Sequence, residues 1–236
     1  MLPKLNDTPQ YQIKVPSTGQ MVRFRPYLVK EEKVMMLAFE SQDVRTALEA
    51  VASTIASCVP DINVDALAAF DIEYLFLQIR SKSVGETADL RFKCAGEQCD
   101  HEIPIKIDLS DITLQGDASN QTIQLTDKLA VELQYPRYRT LIEKGAVDGT
   151  ITSDIAFDII VNCIVAVLTD AERIDTTSTT QEELTQFVES MTSAQFKAIV
   201  DFVESQPKLV KDLEFRCPKC QHNNKVHLEG MSDFFT

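Results

Sequence analysis

Apolar and polar residues alternate through Tyr11–Val15 and again through Met21–Val29, on either side of Pro16-Ser-Thr-Gly19. A period of two with a turn between the runs predicts a β-hairpin. The period then changes. Val34, Leu37 and Ala38 recur at helical spacing within Lys30–Gln42. Leu48, Val51, Ala52 and Ile55 do the same within Val44–Val59, where Asp43 stands at the N-cap position. Cys58 closes that apolar face and reads as a small buried side chain. Pro60 ends this helix, and Val64–Ser83 reads as the next. Its run Tyr74-Leu-Phe-Leu-Gln-Ile79 is apolar nearly all round, the mark of a helix covered on more than one side.

Alternation returns after Val84-Gly85. A first strand leads to Lys93, and Glu102–Leu109 follows with Ile103, Ile105, Ile107 and Leu109 on one face. Gln115–Asn120 is turn-rich, and Thr122–Tyr135 reads as two short strands about Thr126-Asp127-Lys128, so three or more strands are expected to gather here. From Arg137 the pattern is helical. A short helix at Thr140–Lys144 stops near Gly145, and Ser153 caps a long helix to Leu168 with Cys163 in its middle. A polar loop, Asp175–Thr180, precedes a helix at Glu182–Met191. Thr180 opens that helix in a capping box, and Ser193 caps a last one at Ala194–Gln206. This stretch amounts to a helical insertion of roughly seventy residues, large enough for its own small core. Leu213–Arg216 and Lys225–Leu228 supply two final strands, and Phe234-Phe235 either packs on the protein or docks in a partner.

The segments so defined are a hairpin at 1–30, helices at 31–83, strands at 84–135, the helical insertion at 136–207 and a strand pair with tail at 208–236. Two of them carry near repeats: Asp89-Leu-Arg-Phe-Lys-Cys94 leads to Cys99-Asp-His101, and Asp212-Leu-Glu-Phe-Arg-Cys217 leads to Cys220-Gln-His222. Each half reads as a strand entering a tight turn with two thiols, and two such turns supply the four soft ligands that tetrahedral Zn²⁺ prefers. Cys94, Cys99, Cys217 and Cys220 are therefore the candidate metal ligands. A closed four-sulfur shell has no open position, so the ion would be structural. Four residues separate Cys94 from Cys99 against two between Cys217 and Cys220, which leaves four free thiols in polar turns as the alternative. A disulfide ranks lower, because the sequence from Met1 shows no charged-then-apolar leader and a thiol-reducing cytosol is expected. His101, His222 and His227 each follow a cysteine pair and could replace a thiolate, though a solvent-facing ring is the plainer expectation.

Charge narrows the function. The 236 residues carry 23 basic and 36 acidic side chains, a formal net charge of −13. An acidic chain repels phosphate and gains nothing from counterion release, which disfavours nucleic acid as a partner. Asp89, Glu97, Asp100, Asp212 and Glu214 dilute the field of Arg91, Lys93, Arg216 and Lys219, so a nucleic-acid-binding zinc-ribbon regulator stands as the alternative function. The most apolar stretch, Ile159–Leu168, is far short of a membrane span. With seven glycines and no phosphate loop, nucleophile elbow or His-Glu-x-x-His helix, an enzyme is not expected.

A resemblance adds to this reading. Pro16-Ser-Thr-Gly19, Arg25-Pro-Tyr-Leu-Val-Lys-Glu-Glu32, Phe70-Asp-Ile-Glu-Tyr-Leu-Phe-Leu-Gln-Ile-Arg80-Ser-Lys-Ser-Val-Gly85 and Leu228-Glu-Gly-Met-Ser-Asp-Phe-Phe235 occur in an order that resembles the baseplate hub assembly proteins of T-even-type myoviruses. The likeness spans nearly the whole chain. It implies a hub component or assembly factor, chaperone-like in the latter case, that contacts other phage hub or tail proteins in the host cytoplasm during assembly or in the virion tail baseplate. The expected fold is α+β: a small antiparallel sheet around a split zinc ribbon, with an N-terminal helical segment and a helical insertion between the two knuckles.

Overall fold

A computed structural model describes residues 8–146 and 152–235. The leader expectation at Met1 lies outside them, as does the side chain of Phe235. Strands β1 (Tyr11–Lys14) and β2 (Met21–Phe24) form the expected hairpin, with Ile13 opposite Val22. Helices α1 (Val29–Glu40), α2 (Val44–Cys58) and α3 (Ala69–Ser83) follow. Asp43 caps α2 by accepting from the Arg45 amide, which satisfies one of the free donors of a first turn. Val22, Phe24, Met35, Val51, Ile55 and Leu75 share the core of this part, and Cys58 is fully buried in it.

Two expectations fail here. Val34 and Leu37 do not face the core: each is more than half exposed, while Glu31, Met35 and Ala38 supply the buried side of α1. A helix apolar on both sides has no period to say which side turns inward. Nor is Val64–Ser83 one helix. A 3-10 turn at Val64–Ala66 ends at Leu67 and Ala68, which are extended. Ala68 makes an isolated bridge to Arg137, and α3 restarts with the Asp71 carboxylate accepting from the Ala68 amide at 3.1 Å. Ser17 of the β1–β2 turn also donates to Asp71 through its amide and its hydroxyl, which ties the hairpin to this helix start.

Strands β3 (Thr87–Lys93) and β4 (Glu102–Asp108) pair in register from Thr87↔Asp108 to Lys93↔Glu102. A short β5 (Thr113–Gln115) comes next. The helical insertion expected at 136–207 contains strands as well as helices. β6 (Gln121–Thr126), β7 (Leu129–Leu133), β8 (Ile164–Thr169) and β9 (Arg173–Asp175) make a four-stranded antiparallel sheet in sequence order. It packs with α5 (Ser153–Val161), α6 (Gln181–Glu189) and α7 (Ser193–Glu204), and α4 (Tyr138–Glu143) leads away from β7. The strands at 121–133 thus build this sheet instead of gathering around the knuckles. The long helix expected from Ser153 to Leu168 stops at Val161, capped by Thr152, and Ile164–Thr169 is a strand between β7 and β9. A short apolar run rich in Ile and Val does not distinguish buried helix from buried strand, and pairing on both edges decides it. Cys163 sits in the intervening turn, buried, its thiol donating to the Ile159 carbonyl. Thr180 and Glu183 form the expected capping box, whereas α7 is capped by Thr192 and not by Ser193.

The chain then returns through β10 (Lys208–Arg216) and β11 (Asn223–Glu229), and β10 also pairs with β5. Leu77, Leu90, Ile107, Leu109, Leu209 and Leu228 join the two hairpins to α3. Phe234 of the terminal α8 (Gly230–Phe235) seals this core, 1 % exposed. The α+β class holds, with four separate small sheets among the described residues and not one sheet around the cysteines.

Candidate metal centre

The near repeats put equivalent side chains in contact. Phe92 and Phe215, each two residues before the first cysteine of its pair, meet as tilted rings with centroids 5.7 Å apart. Leu90 and Leu213, two residues further back, enter the same core. Each hairpin then turns in the same way: the Cys94 amide donates to the His101 carbonyl at 3.0 Å, and the Cys217 amide donates to the His222 carbonyl at 2.9 Å. Each turn also takes one glutamine into the left-handed region, Gln98 at φ 60° and Gln221 at φ 63°.

These turns bring the thiols together. The sulfurs of Cys94, Cys99, Cys217 and Cys220 all lie within 4.8 Å of one another. Cys94 Sγ is 3.5 Å from Cys220 Sγ, and Cys99 Sγ is 3.9 Å from Cys217 Sγ. Tetrahedral zinc with bonds of about 2.3 Å would hold its sulfurs about 3.8 Å apart, so the spacing fits an ion of that size. The unequal loops do not prevent convergence. Cys94, Cys99 and Cys217 are buried and Cys220 is exposed at the edge.

Neighbouring groups complete the cradle. Gly96 lets the longer loop approach the shorter one: a Cβ there would lie 3.1 Å from both Cys220 Sγ and the His222 Cβ. Asn224, 3 % exposed, accepts the Ala95 amide and donates to the His222 carbonyl. Neither Gly96 nor Asn224 was singled out from sequence; the only signal was a polar residue at an inward position of an alternating strand. The histidines contribute no ligand atom to the cluster. His101 and His222 serve through their carbonyls, and the exposed His227 pairs with Asp212 at 2.7 Å.

The electrostatics of the cluster are compatible with a bound cation. Burial opposes ionisation of Cys217, yet the amides of Cys220 and Lys219 and the nearby thiols draw it down to about 7. The His222 amide favours the Cys220 thiolate, but desolvation and the other sulfurs push it up to about 12. Thiolates this close repel one another, and a divalent ion supplies the charge that lets several ionise together.

On the second hairpin Lys225 pairs with Glu214, Lys208 with Glu229 and Lys211 with Asp111. Among the described residues no helix is long and apolar enough to cross a membrane.

Fold and site together define an α+β protein whose two sequence-distant hairpins close on a four-cysteine cluster able to hold a metal ion. The family model described as T4 bacteriophage base plate protein matches residues 8–236. The chain belongs to that family, which implies a structural or assembly role and contacts with other phage baseplate proteins. No curated protein and no solved structure matches it significantly.

Proposed function

We propose that this chain is a non-catalytic component or assembly factor of the baseplate hub, acting through protein contacts, with Zn²⁺ held by Cys94, Cys99, Cys217 and Cys220 as a structural clamp. The convergence of four thiols from hairpins more than a hundred residues apart in sequence carries the clamp. Membership of the base plate family carries the partner class. Four thiolates fill a tetrahedral shell, so the ion would fasten the chain on either side of the β6–β9 sheet and its helices. Fixing that loop favours the folded state and orients the surfaces offered to hub or tail proteins.

Tagged protein recovered from infected cells should carry hub proteins with it. A Cys217→Ser/Cys220→Ser variant should recover less of them in proportion to its loss of zinc. Recovery of outer baseplate proteins alone would overturn the hub assignment, and full recovery by the zinc-free variant would overturn the orienting role.

A further inference from the structure

The outer side of α1 is apolar where a surface helix is normally polar. Val29 is 78 % exposed, Met36 and Leu37 are each 57 % exposed, and Phe39 is 54 % exposed. With the buried residues Glu31, Met35 and Ala38 fixing the inward direction, helical geometry places Val29, Lys33, Met36, Leu37 and Glu40 along the centre of the outward stripe. Lys33 and Glu40 are exposed and make no ion pair among the described residues, although most nearby charged side chains are paired.

The geometry points to a second copy of this chain as the occupant, packed on α1 antiparallel about a two-fold axis between Met36 and Leu37. A two-fold at that point sets each residue opposite the one equally far from it on the other copy. Met36 meets Leu37 of the second copy, and Lys33 meets Glu40. From Lys33 to Glu40 the stripe is thus complementary to itself in both shape class and sign, an apolar centre with an ion pair on each side, as an isologous contact requires, while Val29 lies beyond the pairs at each end. The two exposed stripes would together bury roughly 1,000 Å², the lower limit for a specific interface, so the dimer should be weak and concentration-dependent. It involves no metal ligand and does not depend on zinc.

Analytical ultracentrifugation with charge reversal tests this register. The wild-type chain should move from its monomer mass of 26.5 kDa toward twice that value as concentration rises. Lys33→Glu alone or Glu40→Lys alone should each stay monomeric, because each sets like charges face to face. Mixing the two variants should restore the dimer, since one copy then offers only acidic and the other only basic groups at these positions. Circular dichroism of each variant should match wild type, and both charges are on the surface, so folding is not at issue. A wild type that stays monomeric throughout overturns the proposal and assigns the stripe to a different protein. Dimers that ignore both reversals, or variants that fail to pair on mixing, overturn it as well.

Discussion

The Asn224 Oδ1 accepts the backbone N–H of Ala95 at 2.8 Å, so a buried side chain on β11 holds the cysteine turn between β3 and β4. Removing that acceptor strands a donor beside the cluster, which costs about 1–3 kcal/mol when water cannot replace it. Asn224→Ala should lower unfolding stability in denaturant by that amount. An exposed neighbour, Asn223, should tolerate the same change within about 0.5 kcal/mol.

Gly96 predicts a steric effect. Its backbone is not in the left-handed region, so alanine there is penalised by contact alone: the new Cβ meets Cys220 Sγ and His222 Cβ at 3.1 Å each. Gly96→Ala should spread the two turns and weaken metal retention. A competition titration with a chromogenic chelator measures it, and an affinity equal to wild type would show that the turns adjust freely.

Two carboxylates give the stability opposite slopes with pH. Burial resists the charge of Glu31, but Arg25 at 2.8 Å, the Leu28 amide and Lys30 draw its carboxyl from 4.5 down to about 2. Its contribution is present above pH 4.5 and is lost as pH falls toward 2. Glu73 is the reverse case. Burial, helped by Glu229 and opposed by the Met231 amide, raises it from 4.5 to about 7. The folded state gains stability as pH falls from above 7 to about 4.5, because the proton then relieves a buried charge. Glu73→Gln should therefore be more stable than wild type at alkaline pH, by up to roughly 3 kcal/mol, with the gap closing by about pH 5. Glu31→Gln should be the less stable protein at neutral pH, and its deficit should shrink in strong acid. Urea unfolding across the pH range checks both.

Thiol reactivity separates the six cysteines. Cys58 is held up to about 11, mainly by burial, and Cys163 is held up to about 12 by burial alone. Both should resist alkylation in the folded protein. The metal-loaded chain should then show no fast thiol. After chelation Cys220, the one exposed cysteine, is the thiol a reagent can reach, and since the other sulfurs hold it up to about 12 its labelling should speed up as pH rises. Mass spectrometry of timed iodoacetamide reactions gives the order.

Much of this was legible in sequence. The alternation into each cysteine pair located β3, β4, β10 and β11, and the repeat that ends in each pair marked the four thiols that lie together. Caps were legible where the residue chemistry is specific, as at Asp43 and Thr180. What failed depends on distant partners. Ile164–Thr169 became a strand because β7 and β9 flank it. Val34 and Leu37 face outward because α1 has apolar residues on every side. Gly96 and Asn224 matter through contacts across the two turns, and no local pattern marks such contacts.

Metal stoichiometry by native mass spectrometry tests the clamp most directly. Protein purified without chelator should carry one zinc ion per chain. Cys217→Ser/Cys220→Ser should carry none and should melt at a markedly lower temperature. A wild-type chain that is metal-free yet fully folded, with the same melting temperature as that variant, would contradict the clamp.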